Sequence, residues 1–207
     1  MTYSISRIHK LLLYLIVVLS VINADEYFVD NASEIESIMQ NSAQPGDTLT
    51  MRKGVWTDEE IVFAGHGAEG DSILLRAEKP GEVILNGTST LRIAGSYLIV
   101  DGLYFKEGYA NSGHVIEFRY GSHWARHCRL TNTAIINYNP PNLGEDYKWI
   151  SLYGKYNRVD HCYLEGKKHT GTTLVVWLSG EPNYHRIDHN HFGHRPPLGR
   201  NGGETIR

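Results

Sequence analysis

The chain has only two cysteines, Cys128 and Cys162, among 207 residues. That excludes a disulfide scaffold, which needs several bridges to stand in for a small core. Methionine is scarce, at three residues, and no long helical period runs through the middle of the chain. Strands without crossover helices exclude a doubly wound α/β fold. An excess of one charge is also missing, since the formal net charge is −3. Nothing electrostatic therefore favours nucleic acid or an anionic membrane as a partner. There is no nucleophile elbow, phosphate loop or nucleotide fingerprint. What the chain does have is glycine, at 21 residues, and tyrosine, at 13. That composition suits a turn-rich, all-β protein.

The one long apolar run lies at the start. Arg7 and Lys10 precede the run Leu11 to Val21, and Ala24 stands before Asp25. This reads as a signal peptide over residues 1–24, because the run is shorter than the ~20 apolar residues of a membrane span. It predicts a secreted or periplasmic protein whose mature part, 25–207, is one domain with no membrane partner.

One helix is predicted near 33–41, opened by a capping box at Ser33 and Glu36. Short strands follow at Ser72–Ala77, Val83–Leu85, Tyr97–Val100, Val115–Phe118, Trp149–Leu152, Leu174–Leu178 and Thr205–Arg207. A repeat emerges when the segments ending at Phe105, Leu130, Leu164 and Phe192 are aligned. Repeating short strands and turns at this spacing predict a right-handed parallel β-helix, a solenoid in which each coil stacks on the last. The helix would cap its N-terminal end. In this register Leu103, Cys128, Cys162 and Asn190 form one interior file, so the two cysteines should stack as free, buried thiols. The oligomeric state is not legible.

The gaps between strands fall at one corner of the coil. They carry Tyr138, Lys167, Lys168, His169, Arg195 and Arg200, with Arg207 at the end of the chain. Loops on one flank of a rigid solenoid make an elongated groove, and these cations would suit it to an anionic polymer. Tyr138, His169, Arg195 and Arg207 are the candidate substrate contacts. His185, His189, His191 and His194 crowd one stretch, but they lack the carboxylate or thiolate partners of a zinc site. His189 and His191 should point outward together from one extended strand. Asp101, Asp160 and Asp188 recur at one repeat position, which favours turn residues capping backbone N–H groups over a glycosidase acid/base pair.

Three segments together resemble the polysaccharide lyases of the chondroitinase B and alginate lyase group, polysaccharide lyase family 6. They are Asn201-Gly202-Gly203-Glu204-Thr205-Ile206-Arg207, Asn137-Tyr138-Asn139-Pro140-Pro141, and Val159 to Lys167. The resemblance implies a parallel β-helix and β-elimination at a uronic acid, with Ca²⁺ neutralising the sugar carboxylate. Asn201 matches the family's Asn ligand to Ca²⁺, and Arg207 matches a substrate contact. The family's two Glu ligands, its Lys base and its Arg lie further along than residue 207. No catalytic residue is therefore expected in this chain, which reads as the N-terminal part of a β-helix truncated at its C-terminal end. Such a part should be inactive alone, with anionic polysaccharide, alginate or chondroitin/dermatan sulfate, as the partner of the whole enzyme. A carbohydrate-binding β-helix without activity and a β-helical glycoside hydrolase are the alternatives.

Overall fold

In a computed structural model, residues 24–198 and 203–207 are described. The signal-peptide reading therefore falls almost wholly outside the described residues, as does Asn201.

The chain winds as a parallel β-helix with three faces. The first face holds seven parallel strands: Glu26–Val29, Thr48–Met51, Ile73–Ala77, Leu98–Asp101, Arg129–Thr131, Arg158–Asp160 and Arg186–Asp188. The second holds Gly54–Thr57, Val83–Gly87, Tyr104–Gly108, Ala134–Ile136, Tyr163–Glu165 and His191–Phe192. The third runs through Glu60–His66, Thr90–Ser96, Ile116–Glu117, Ile150–Leu152 and Leu174–Val176.

Parallel in-register stacking puts like residues in files. Leu49, Leu75, Val100, Leu130 and Val159 pair in sequence on the first face, and all are fully buried. Trp56, Leu85, Phe105, Ile135 and Leu164 pair likewise on the second, and all are buried. Ile61, Leu91, Ile116, Ile150 and Leu174 do so on the third. Each such side chain contributes roughly 1.5–3 kcal/mol of burial free energy, so the stack is held mainly by its three files.

Each corner is turned by a residue in the left-handed region. The first corner uses Tyr97, His127, Tyr156 and Tyr184, and the second uses Gly102, Asn132, His161 and His189. The third uses Glu107, Asn137 and Gly166. Gly166 is required there: a Cβ would lie 2.2 Å from the Asn137 side-chain oxygen of the coil before. At the first corner the rings stack face to face, Tyr97 on His127 at 4.9 Å, His127 on Tyr156 at 4.8 Å and Tyr156 on Tyr184 at 5.2 Å.

The observed register corrects the predicted one for one coil. Leu130 belongs with Val100 on the first face, and it is Ile135 that stacks on Phe105. The reason is local mimicry. His127-Cys128 turns the first corner and His161-Cys162 the second, with the same left-handed histidine, so the two segments read alike. The cysteines accordingly do not stack on each other. Cys128 sits near the Arg126 and Gly95 carbonyls, and Cys162 near those of Asp160 and Leu130. Both are free and buried, as expected. Burial pushes the thiols up to about 11 for Cys128 and about 12 for Cys162. Neither should react with iodoacetamide at pH 8 in the native protein, and both should react in urea; fast native labelling would contradict this packing.

The helix spans Ala32–Asn41, with Asn31 as its N-cap instead of the predicted Ser33. The Asn31 side chain accepts from the Glu34 N–H, and Glu34 in return accepts from the Asp30 N–H. The box is therefore shifted two residues earlier, where an extended residue precedes the first turn. Ile35 is fully buried, and the helix lies along Glu60–His66, covering the outer edge of the third face.

Asp160 and Asp188 also differ from expectation. They pair with arginines one coil earlier instead of capping backbone. Arg129 holds Asp160 through two N–H bonds of 2.7 and 2.6 Å, and Arg158 holds Asp188 at 2.9 and 2.8 Å. Stacking makes this possible, because Arg129, Arg158 and Arg186 form a file two residues from Thr131, Asp160 and Asp188. Burial would raise the Asp160 carboxyl, but bonds from Arg129 and His161 outweigh it and hold the group below its ordinary value. Asp101 instead accepts from the Asn132 amide at 2.8 Å.

Candidate functional site

The long connections do open at one corner, between the second and third faces. They run 109–115, 137–149 and 166–173, and a further one leaves the second face at 193. Two of the four predicted contact residues, Tyr138 and His169, turn inward here. A loop crossing a solenoid corner must anchor itself, and polar aromatics and long cations are its anchors.

Tyr138 is fully buried, its ring edge-on to Phe105. Its hydroxyl donates to the Ser89 carbonyl at 2.8 Å, and its own carbonyl accepts the Trp149 indole N–H at 2.9 Å. It thus holds the 137–149 loop down and offers no surface to a ligand, contrary to the expectation. His169 is likewise fully buried, against Tyr147 at 3.9 Å. Burial, with Lys167 close by, pushes His169 down to about 3, so it is a neutral imidazole.

Lys167 is buried too. Its side-chain nitrogen reaches the carbonyls of His169, Thr170 and Gly171 at 3.1, 3.1 and 2.9 Å. Arg195 serves the same loop from outside. One guanidinium nitrogen bonds the His169 and Gly171 carbonyls, and the other bonds Thr173 and the Glu204 carbonyl. Arg195 therefore ties the 167–173 loop to the end of the chain. Two of the cations expected to line the groove are used to build its wall.

Arg207 lies on the other side of that wall. Leu174 and Val176 donate to the Thr205 and Arg207 carbonyls at 2.9 and 2.8 Å, so the tail adds to the third face in parallel. Ile206 pairs with Leu174. That puts Arg207 one step further along, in the outward file of Arg92, Glu117, Ser151 and Val175. Arg207 is exposed.

Beside this strand is a surface that the sequence did not disclose. Trp177, directly after Val176, stacks on Tyr153 at 5.7 Å, and the Arg119 guanidinium lies 4.1 Å over the other ring of that pair, Tyr153. His114 stacks on Trp177 at 6.4 Å. Arg92 and Glu117 form a buried ion pair at 3.6 Å beneath them. Aromatic faces next to a cation suit a sugar ring that carries a negative group. The sequence signal was present only as an aromatic at the end of each of two strands, two positions after Ser151 and Val175.

The clustered histidines do not converge. His189 turns the second corner with φ 56°, which breaks the extended strand and sends His191 to the second face, where it stacks on Tyr163. His185 accepts the Asn157 N–H. Among the described residues no group of three or more His, Cys, Asp or Glu could hold a metal ion.

A family model described as Chondroitinase B matches residues 29–207. Among solved structures, the PL6 family alginate lyase AlyGC is 43% identical with a TM-score of 0.84, over 87% of this chain and 25% of its own. A mannuronic acid specific polysaccharide family 6 lyase from human gut microbiota is 36% identical with a TM-score of 0.80, over 88% of this chain and 43% of its own. The PL6 family polysaccharide lyase Pedsa3628 from Pseudopedobacter saltans is 32% identical with a TM-score of 0.80, over 87% of this chain and 40% of its own. The chain thus spans a quarter to less than half the length of these structures. No curated protein matches it. The chain belongs to the chondroitinase B family, the family 6 polysaccharide lyases, and its parallel β-helix is theirs.

Proposed function

We propose that this chain is the N-terminal part of an exported lyase that cleaves a uronate-containing polysaccharide, alginate before dermatan or chondroitin sulfate, by β-elimination. The observation that carries the reading is Arg207. Its register puts it in the outward file of the third face, beside the Trp177–Tyr153–Arg119 surface, in a chain 43% identical to an alginate lyase. A guanidinium can pair with a sugar carboxylate through two parallel N–H bonds. Trp177 and Arg119 would take the neighbouring sugar.

Calcium and export enter as parts of the same proposal. Asn201 would be one ligand, and an amide oxygen alone cannot hold the ion. The remaining ligands, the base and the second arginine would come from chain beyond Arg207, so residues 1–207 alone should give no appreciable product. The leader over residues 1–24 would deliver the protein outside the cytoplasm.

The test is direct. The protein as its gene encodes it is incubated with alginate and with dermatan sulfate, and the ultraviolet absorbance of the unsaturated uronate is followed with and without chelator. Product from alginate, lost on chelation, is expected. Saccharides released without the unsaturated chromophore would instead indicate hydrolysis and sink the lyase reading.

A further inference from the structure

A cavity of about 690 Å³ is remote from the loop corner. It lies over the other end of the third face, towards the first corner, and none of the residues discussed above as substrate contacts line it. Its floor is Ala64, Gly65, Ala94 and Gly95, side by side on two paired strands. Gly95 cannot be larger: a Cβ would lie 1.9 Å from the Gly65 carbonyl, and its φ is +104°. Its wall is a hairpin. Arg119–Tyr120 runs antiparallel to His123–Arg126 and turns at Gly121, φ 56°. The hairpin holds up Tyr120 and Trp124, 43% and 49% exposed.

Trp124 and Arg126 also line a second hollow of about 280 Å³ on their far side, with Gly154 and Lys155. The two hollows form one groove along the solenoid axis. Its edge is the file His66, Ser96, Arg126 and Lys155, one residue per coil. At ~4.8 Å per coil the file spans about 14 Å, longer than a single sugar ring.

The charge in this groove has one sign. No Asp or Glu lines either hollow. Arg126 has no acidic partner among the described residues, whereas Lys155 is shared with Glu181 at 2.8 Å. An exposed indole beside an unpartnered guanidinium offers an apolar ring face and a carboxylate clamp at one place.

We propose that this groove is a second saccharide site, which binds a stretch of uronate polymer with a sugar ring on Trp124 and its carboxylate on Arg126. The choice of uronate rests on the lyase reading above; the groove itself does not. Bound there, the polymer is held on the same face as Arg207 but several coils away. The site would raise affinity for long chains and leave the reacting unit untouched.

The test uses the full chain, Arg126→Ala and Trp124→Ala, and an alginate oligosaccharide with its carboxyl-reduced counterpart. Binding is read by titration calorimetry. Both side chains are exposed, so thermal melts of the variants should match the parent. Each variant should weaken binding of the charged oligosaccharide about tenfold or more, and so should carboxyl reduction. Unchanged affinity in both variants, or no binding of the oligosaccharide by the parent, overturns the proposal. The lyase reading keeps its own readout. Unsaturated product without Arg126-dependent binding removes the second site alone, and Arg126-dependent binding without product removes the lyase alone.

Discussion

Lys167→Met is expected to lower stability by about 3 kcal/mol, the cost of leaving buried carbonyls short of a donor. The methionine fills similar volume, so the loss is mostly polar. Lys167 serves three successive carbonyls, of His169, Thr170 and Gly171. Arg195 still reaches two of them, at 3.2 and 2.7 Å, which is why the loss is not larger. Thr170 loses most. The measurement is the urea midpoint with the slope held constant. A shift worth less than about 1 kcal/mol would contradict the role assigned to Lys167. The same variant should loosen the link between the 167–173 loop and the strand that carries Arg207, seen as faster amide exchange at Leu174 and Val176.

Acidification should have the second large effect. Burial, with Lys148 and Arg92 nearby, pushes His114 down to about 4, and burial with Lys167 pushes His169 down to about 3. Both lie below the 6.5 of an unfolded histidine. Between those values the unfolded chain binds protons that the folded chain refuses. The histidines' contribution is therefore whole above pH 6.5 and is lost as pH falls towards 4. Each histidine should remove about 3 kcal/mol by pH 4. Together that is comparable with the 5–15 kcal/mol that stabilises most domains. Lys167 acts in the same direction at higher pH. Burial lowers it to about 6 from 10.5, so the fold should also weaken between alkaline pH and pH 6. Urea midpoints at pH 8, 7, 5 and 4 check this. His114→Gln should flatten the acid limb by about half, and a midpoint that does not move between pH 7 and 4 would show that the imidazoles are not held neutral.

The architecture was largely legible because stacking repeats its requirements. Apolar residues on short strands, and turn residues between them, recur whenever a coil closes, and that rhythm survives irregular loop lengths. The exact pairing was less legible. His127-Cys128 and His161-Cys162 satisfy the same backbone demand at different corners, so residue type alone could not tell one corner from the next. The site was the least legible part. Tyr138, His169 and Lys167 have the chemistry of ligand contacts, yet they bond to carbonyls of their own and neighbouring loops. Only burial separates an anchor from a contact, and burial depends on how a loop folds back. Conversely, Trp124 and Trp177 carried no local motif. Trp177 owes its significance to Tyr153 and His114 on other coils, which stacking brings beside it, and Trp124 owes its own to a hollow whose floor belongs to earlier coils.

Stacking has a further consequence for how such a protein can change. Successive partners on the first face, Val100, Leu130, Val159 and Ile187, lie 30, 29 and 28 residues apart. On the third face the partners Leu91, Ile116, Ile150, Leu174 and Ile206 lie 25, 34, 24 and 32 apart. A longer loop before the third face is followed by a shorter return to the first. Coil length is thus nearly conserved while the groove-forming corner is free to gain or lose residues. Descendants of one ancestor could diverge in the polymer they accept through insertions at that corner, with the three interior files inherited unaltered.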